Sequence, residues 1–405
     1  MGIAGSNIYR VVTEQDIEQI HLASLYILEN LGIKVEDPEL ISRMQEMGCT
    51  VAGDRIKIKA DLIEQVLKNV AHQVTFQSRT GKIVDVKPGQ VITHSTGGMP
   101  SILDIESNRK RSATLSDLKT ATRLMDHLEQ LDMPCAWVYP GDVPSEISQI
   151  RQCEYLLKYS TKPIYGPGVS CPGEARYIVE LYRLFSDAQK PLFYNPIGLV
   201  GISPESPLFF PKVITGTMEV IISAGIPTVI LSAPVGGLSA TMTIAGGVAQ
   251  MNAEMLAFAV IASCFNPQTP LIYGSRLNYA NMRNGNSNWG LPELGIASAI
   301  STQMAGRYGF ISDVYGMASA SCTFDNQNGY EKAINTMLPV LSGATMISGF
   351  GSMASLIVAS FEQLVIDNET FAMIRRIKRG VEVNTDTLGL DILADVLNNG
   401  GSFLA

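Results

Sequence analysis

A (β/α)8 barrel of the TIM type, an α/β fold, is the class this sequence predicts, and three observations carry the prediction. From residue 91 onward, short β-rich runs alternate with helical patterns eight times over. The 405 residues accommodate one barrel of the usual ~250 residues together with an accessory region. Charge is scarce: Asp, Glu, Lys and Arg make up 17% of the chain, against roughly 25% in an average soluble protein. No Asp, Glu, Lys, Arg or His occurs between Glu219 and Glu254, or between Lys332 and Glu362. Parallel strands covered by helices on both faces produce such charge-free stretches. An open doubly wound sheet is the competing architecture, but it more often carries a glycine fingerprint, which this chain lacks.

In chain order, residues 1–90 form a helical and β accessory region. Apolar residues at helical spacing mark Glu14–Leu31, Pro38–Met47 and Asp61–Asn69, and Thr13 followed by Glu14 and Asp16 is an N-cap signal. Val74–Gln77 and the run beyond the turn Arg79–Lys82 are extended, and Ser101–Arg111 has the pattern of a hairpin outside the core. The barrel is assigned to residues 91–380. Its strands are expected at Val91–His94, Met133–Tyr139, Pro163–Gly166, Pro191–Asn195, Pro227–Ser232, Pro270–Gly274, Ser312–Gly316 and Ala344–Gly349. Four of these runs begin at Pro, where no ladder donor is needed. The helices between and after them are expected at Ser116–Gln130, Glu146–Tyr159, Gly173–Phe185, Leu208–Ala224, Thr243–Cys264, Glu293–Tyr308, Asn328–Leu341 and Ser355–Arg376. Residues 381–405 form a C-terminal segment.

Composition excludes several functions. A net charge of −8 with no basic stripe argues against nucleic acid. The charge-free stretches are interrupted by Pro227, Pro234, Gly236, Gly246, Gly343 and Gly349, so no membrane span is expected. The N-terminus lacks a basic segment leading into an apolar one, and a cytoplasmic location is expected. Six dispersed Cys and four His fall in no metal-ligand spacing, so no metal site is expected. Neither a P-loop nor a strand-borne dinucleotide fingerprint is present.

Barrel active sites lie where strands run out into their following loops. That rule selects His94, Tyr139, Tyr165, Tyr194, Asn195, Tyr273, Arg276, Tyr315 and Phe350 as substrate-binding candidates. Ser232 and Ser275 are further hydrogen-bonding candidates, and Asp142 is the one acid at a plausible position. Asp313 is placed near the start of its strand. The inventory is rich in tyrosine and poor in titratable groups. A metal-dependent hydrolase needs several carboxylates and histidines, and a Schiff-base enzyme needs a strand-borne lysine; neither set is present. Any one tyrosine reads first as a core or rim aromatic. Several at one end of a barrel attract a cation, and quaternary ammonium groups are favoured ligands of aromatic cages.

Four segments carry a family resemblance: Ser232–Ala257 (SAPVGGLSATMTIAGGVAQMNAEMLA), Gly97–Asp117, Gly290–Gln303 and Tyr308–Lys332 with its DNQNGYEK ending. Together they resemble, in order and over nearly the whole chain, the trimethylamine methyltransferase family of corrinoid-dependent enzymes. The resemblance implies a (β/α)8 barrel that hands a methyl group to the Co(I) corrinoid of a separate carrier protein. Founding members carry pyrrolysine after the seventh strand, around Ser319–Asp325 here, where this chain has only standard residues. It therefore resembles the non-pyrrolysine branch, which acts on quaternary amines such as glycine betaine, proline betaine, carnitine or γ-butyrobetaine. The chain also stops at Gly400–Ala405, where the family usually continues.

What the resemblance implies agrees with the composition. Co(I) is a strong nucleophile, and loss of a methyl from a quaternary ammonium releases a neutral amine, so no general acid is required. The enzyme's work is positioning, and no catalytic residue is assigned. The corrinoid arrives with its carrier, and no cofactor is expected to be held tightly. A betaine carboxylate needs a donor, with Arg276 the first choice and His94 the second. A barrel that binds quaternary amines or a corrinoid protein without turnover is the alternative, and a barrel lyase a more remote one. Large uncharged helices suggest a homo-oligomer.

Overall fold

The computed structural model describes residues 9–186 and 190–404; the ends of the accessory region and of the C-terminal segment, Met1–Ile8 and Ala405, lie outside them. Barrel strands are β1 (Ile92–Ser95), β2 (133–138), β3 (Ile164–Tyr165), β4 (Gly198–Ile202), β5 (Thr228–Ser232), β6 (Leu271–Ser275), β7 (Ser312–Tyr315) and β8 (Met346–Phe350). Seven of them form one parallel sheet in the order β1-β8-β7-β6-β5-β4-β3. β2 closes the ring through single bridges and no continuous ladder: His94 pairs with Met133 and Cys135 with Tyr165. The outer helices are α1 (Leu115–His127), α2 (Ser145–Tyr159), α3 (Pro172–Arg183), α4 (Lys212–Ala224), α5 (Ile244–Ser263), α6 (Pro292–Tyr308), α7 (Asn326–Leu341) and α8 (Phe361–Arg379).

One strand lies elsewhere than the sequence pattern predicts. Pro191–Asn195 is a turn, and the fourth strand is Gly198–Ile202. The run Gly-Leu-Val-Gly-Ile has little β-propensity at its glycines, yet close approach requires both. A Cβ on Gly198 would sit 2.1 Å from the Ile164 carbonyl oxygen, and one on Gly201 would sit 2.3 Å from Leu231 Cδ1.

Side chains fill the lower barrel in one apolar layer of Ile92, Met133, Leu199, Val229, Ile272, Ile311 and Met346. The hairpin Val74–Gln77/Ile83–Val86 seals this end by adding Val74, Phe76 and Val86 to the layer. Burial of this kind contributes about 25 cal/mol per Å² of apolar surface, which fixes the floor on which the upper barrel is built.

α5 is long and apolar enough to cross a membrane by length and composition, but most of it is buried inside the protein. Its apolarity on every side has a packing cause. One side faces the barrel, and the accessory helix Glu14–Tyr26 covers another, with Ser24 Oγ donating to the Ala249 carbonyl at 2.9 Å. That accessory helix starts on a capping box between Thr13 and Asp16. At the opposite, upper end, Ser101–Leu103, Lys110–Ser112, Ser352–Met353 and Val358–Ala359 form a small sheet beside the mouth. The C-terminal helices Thr385–Leu388 and Leu390–Asn398 have no buried residue.

Candidate active site

The strand period of two sends alternate residues of each strand into and out of the barrel. On β7, Asp313 and Tyr315 share a face, and both point into the barrel. On β6, Gly274 and the following Arg276 face inward, so Tyr273 and Ser275 must face outward. Inward-facing residues above the apolar layer enclose a cavity of about 300 Å³ at the strand C-termini. It is lined by His94, Thr96, Tyr139, Gln149, Gln152, Tyr165, Leu231, Arg276, Tyr315, Ser348 and Leu356, with Gly97, Gly98, Gly166, Gly168 and Gly201 supplying room.

Beneath the cavity wall, at the centre of a hydrogen-bonded cluster, stands Asp313, with 0% exposure. Its Oδ1 lies 2.8 Å from His94 Nε2, and its Oδ2 accepts from Arg276 Nη2 at 2.8 Å and from the Tyr165 hydroxyl at 3.3 Å. Arg276 Nη1 also donates to the carbonyls of Ser275 and Asp313. Burial alone would raise the Asp313 carboxyl, but the Arg276 and His94 charges and hydrogen bonds bring it down to about 2. Desolvation works against the Arg276 cation as well; the Asp313 charge outweighs it and leaves Arg276 more firmly protonated.

Around this cluster the walls are aromatic. The Tyr165 ring stacks on His94 at 4.4 Å, and the Arg276 guanidinium lies 5.1 Å from the Tyr315 ring centre. Trp289, from the long loop after β6, backs Tyr315 at 4.6 Å, and the Thr96 and Tyr315 hydroxyls are hydrogen-bonded. Burial pushes the Tyr165 hydroxyl well above its ordinary range and, despite hydrogen bonds to Thr96 and Ser348, pushes Tyr315 up to about 12. Cys135, also at the wall, is pushed up to about 12 by burial and is a neutral thiol, unsuited to nucleophilic attack.

Leu356 covers the cavity from an unusual backbone. Ala354, Ser355 and Leu356 have φ of 50°, 53° and 68°, three successive non-glycine residues in the left-handed region. Ala354 N–H and Ser355 N–H are tied to the Ser321 and Ser319 carbonyls, which holds this turn against the loop after β7.

Of the predicted residues, His94, Tyr139, Tyr165, Arg276 and Tyr315 converge on the cavity. Tyr194 and Asn195 do not: they are exposed in the turn that precedes β4, at the sealed end, because the fourth strand starts later than predicted. Tyr273 is buried on the outer face of β6, where its hydroxyl donates to Asn252 Oδ1 at 2.9 Å. Phe350 is also removed. An irregularity between Ile347 and Phe350, with Gly349 at φ 123°, shifts the register and turns Phe350 onto Phe371 of α8. Ser232 donates to Glu254, Ser275 contacts Met251 Sδ and Ser301 Oγ, and Asp142 accepts from Leu115 N–H at the start of α1. None of the three lines the cavity. The loop Ser319–Asp325 does not line it either; Ser319 Oγ and Ala320 N–H bind Glu331. Sequence reasoning missed the lining residues Gln149, Gln152, Leu231, Ser348 and Leu356 and, in the ion cluster, Asp313. The signal for Asp313 was the shared parity with Tyr315.

A tyrosine-walled chamber over the buried His94–Asp313–Arg276 cluster, open where the strands end, can hold and orient a charged small molecule. Among the described residues that line it there is no carboxylate, and its one thiol, Cys135, is held neutral by burial. The family model for trimethylamine methyltransferase (MTTB) matches residues 3–405. The chain belongs to the trimethylamine methyltransferase family. Relatives within reach of this family include the trimethylamine methyltransferase MttB of Desulfitobacterium hafniense, 27% identical over 97% of this chain and 79% of its own length. The glycine betaine methyltransferase of Desulfitobacterium hafniense is 27% identical over 98% of this chain and 83% of its own. The proline betaine:corrinoid methyltransferase of Eubacterium limosum is 27% identical over 93% and 79%. Among solved structures, the monomethylamine methyltransferase MtmB of Methanosarcina barkeri superposes with a TM-score of 0.57 at 13% identity, over 98% of this chain and 88% of its own, which shows the shared barrel fold.

Proposed function

We propose that this chain is a corrinoid-dependent methyltransferase that moves one methyl group from a small quaternary amine of the betaine class to the corrinoid of a separate carrier protein, releasing the tertiary amine. Family membership supports the reaction type, and the names of the glycine betaine and proline betaine relatives support the substrate class. The observation that carries the reading is the chamber itself. Tyr139, Tyr165 and Tyr315 line it, an aromatic wall of the kind that favours a cation, and Arg276 borders the same space as a donor for a carboxylate.

A Co(I) corrinoid, when docked, supplies the nucleophile. The chain's own part is to bind, orient and exclude water. A quaternary ammonium leaves as a neutral amine, so the lack of a free general acid in the chamber costs nothing. Holding the reacting carbon in line with its acceptor is worth several kcal/mol of barrier. The mouth suits a docking partner: Leu238 and Met242 after β5, Met282 after β6, Phe324 after β7 and Ile357 after β8 are exposed apolar side chains on its loops. No tightly held cofactor is assigned to the chain. We also place the enzyme in the cytoplasm as a homo-oligomer, a reading supported by six free cysteines and by the exposed aliphatic side chains Leu390, Ile392, Leu393 and Leu397 of the C-terminal helix.

The test is incubation with a reduced corrinoid carrier and a panel of betaines, following the visible spectrum of the corrinoid as it accepts a methyl group. Methylation with at least one betaine is expected. Binding of betaines without methylation by any of them would assign a binding protein instead.

A further inference from the structure

The hydrogen-bond roles around His94 fix a charge. The Ser95 carbonyl can only accept, so His94 Nδ1, 2.9 Å away, carries a proton and donates. The other nitrogen, Nε2, faces Asp313 Oδ1 at 2.8 Å. A neutral imidazole already protonated at Nδ1 would present a lone pair there, and an ionised carboxylate presents another. Two acceptors do not meet at that distance without a proton between them. The proton belongs either to Asp313, as a neutral acid, or to His94, as an imidazolium.

The surroundings choose. Among the described residues, Asp313 is the only carboxylate on the buried Arg276 guanidinium, which it contacts through Oδ2. Neutralising it would strand that cation out of water, and burial penalises a lone charge heavily. Asp313 therefore stays ionised. Among the described residues, the other titratable or charged groups at the cavity are Cys135 on β2, Tyr165 on β3, Arg276 after β6 and Tyr315 on β7, with Tyr139 beyond them at the wall. No Asp, Glu or Lys lines the cavity among the described residues.

We infer that His94 is held as an imidazolium, so that His94, Asp313 and Arg276 together give the chamber a floor of net charge +1 that selects substrates bearing a carboxylate over quaternary amines without one. This rests on the chamber being the substrate site. A zwitterion then has one favoured orientation. Its carboxylate turns to the floor, near the donors of Arg276 not spent on Asp313 and Ser275, and its ammonium turns to the tyrosines and the mouth. His94 spends both nitrogens within the protein, so it is a positioning residue that acts through its charge and through Asp313.

Two measurements test this without any corrinoid. The first is the nitrogen NMR of the ring of His94 in the full chain labelled with 15N-histidine, assigned by its absence in His94→Gln. Two protonated ring nitrogens at pH 7 are expected; a single one overturns the inference. The second is calorimetric binding of three probes that separate the two charges: glycine betaine, the smaller tetramethylammonium, which keeps only the cation, and 3,3-dimethylbutanoate, which keeps the shape and the carboxylate but has carbon in place of the charged nitrogen. The dimethylbutanoate anion is expected to bind at least tenfold more tightly than tetramethylammonium, and His94→Gln is expected to remove that preference. Equal or tighter binding of tetramethylammonium overturns the charged floor while leaving the substrate site standing. Binding of none of the three overturns the substrate-site reading and the floor with it.

Discussion

Arg276, which lines the chamber, and the buried Asp313 behind it are expected to be energetically coupled more strongly than any pair of residues in the chamber wall. Their side chains are 9% and 0% exposed, and they meet at 2.8 Å. Removing one member of a buried, hydrogen-bonded pair costs about 3–5 kcal/mol, because the survivor is left charged and dry. For Asp313→Asn the survivors are two, Arg276 and His94, and the upper half of that range is expected. For Arg276→Gln the carboxylate keeps His94, and the lower half is expected. In the double variant neither stranded charge remains at this contact, so its cost should fall short of the sum by at least about 2 kcal/mol. Urea unfolding, followed by the fluorescence of the buried Trp137 and the loop Trp289, measures all four corners of the cycle. Costs that add to within about 0.5 kcal/mol would refute the coupling and the account of the cluster.

Three further outcomes follow from the same geometry. Asp313 has a folded-state value depressed to about 2, so its stabilising contribution is complete above its unfolded value of about 3.9 and is lost as pH falls through about 2; the acid limb of the stability profile should be shallower in Asp313→Asn than in the parent between those limits. Gly201→Ala would bring a Cβ within 2.3 Å of Leu231 Cδ1 and 3.1 Å of the Tyr165 hydroxyl; the displaced Leu231 should enter the chamber, weakening betaine binding tenfold or more, with an overpacking cost of about 1–3 kcal/mol measured by unfolding. Ala354→Gly relieves one left-handed residue of the turn over the cavity without removing a side-chain hydrogen bond and should stabilise the fold by up to about 1 kcal/mol, whereas loss of stability would show that the turn is unstrained.

Much of this was legible in the sequence for identifiable reasons. Helix boundaries followed caps and apolar spacing: α6 was predicted at Glu293–Tyr308 and spans Pro292–Tyr308, ending on Gly309 at φ 76°. α5 was legible because a helix covered on both sides needs no polar face. The fourth strand was displaced since Gly198 and Gly201 serve contact with β3 and β5, a tertiary demand that no propensity expresses. In the chamber, residue type identified His94, Arg276 and the tyrosines, but direction required parity. Tyr273 and Arg276 stand three positions apart and so cannot share a face of an extended strand. The bulge at Gly349 that turns Phe350 away breaks even that rule. Asp313 looked unpromising as an acid low on its strand, yet a buried acid between inward-facing positions is where a cation pair is anchored. Its partners are 219 and 37 residues away in sequence, a juxtaposition only the closed barrel creates.

The most direct test of the central claim is the stoichiometry of the organic product. With a reduced corrinoid carrier in limiting amount and glycine betaine labelled with 13C on its methyl groups, carbon NMR should show dimethylglycine forming in equal number to the corrinoid molecules methylated. It should show no further loss to monomethylglycine, because the tertiary amine no longer carries a permanent positive charge. Intact betaine after full reduction of the carrier, with every other betaine of the panel equally unreacted, would contradict the account.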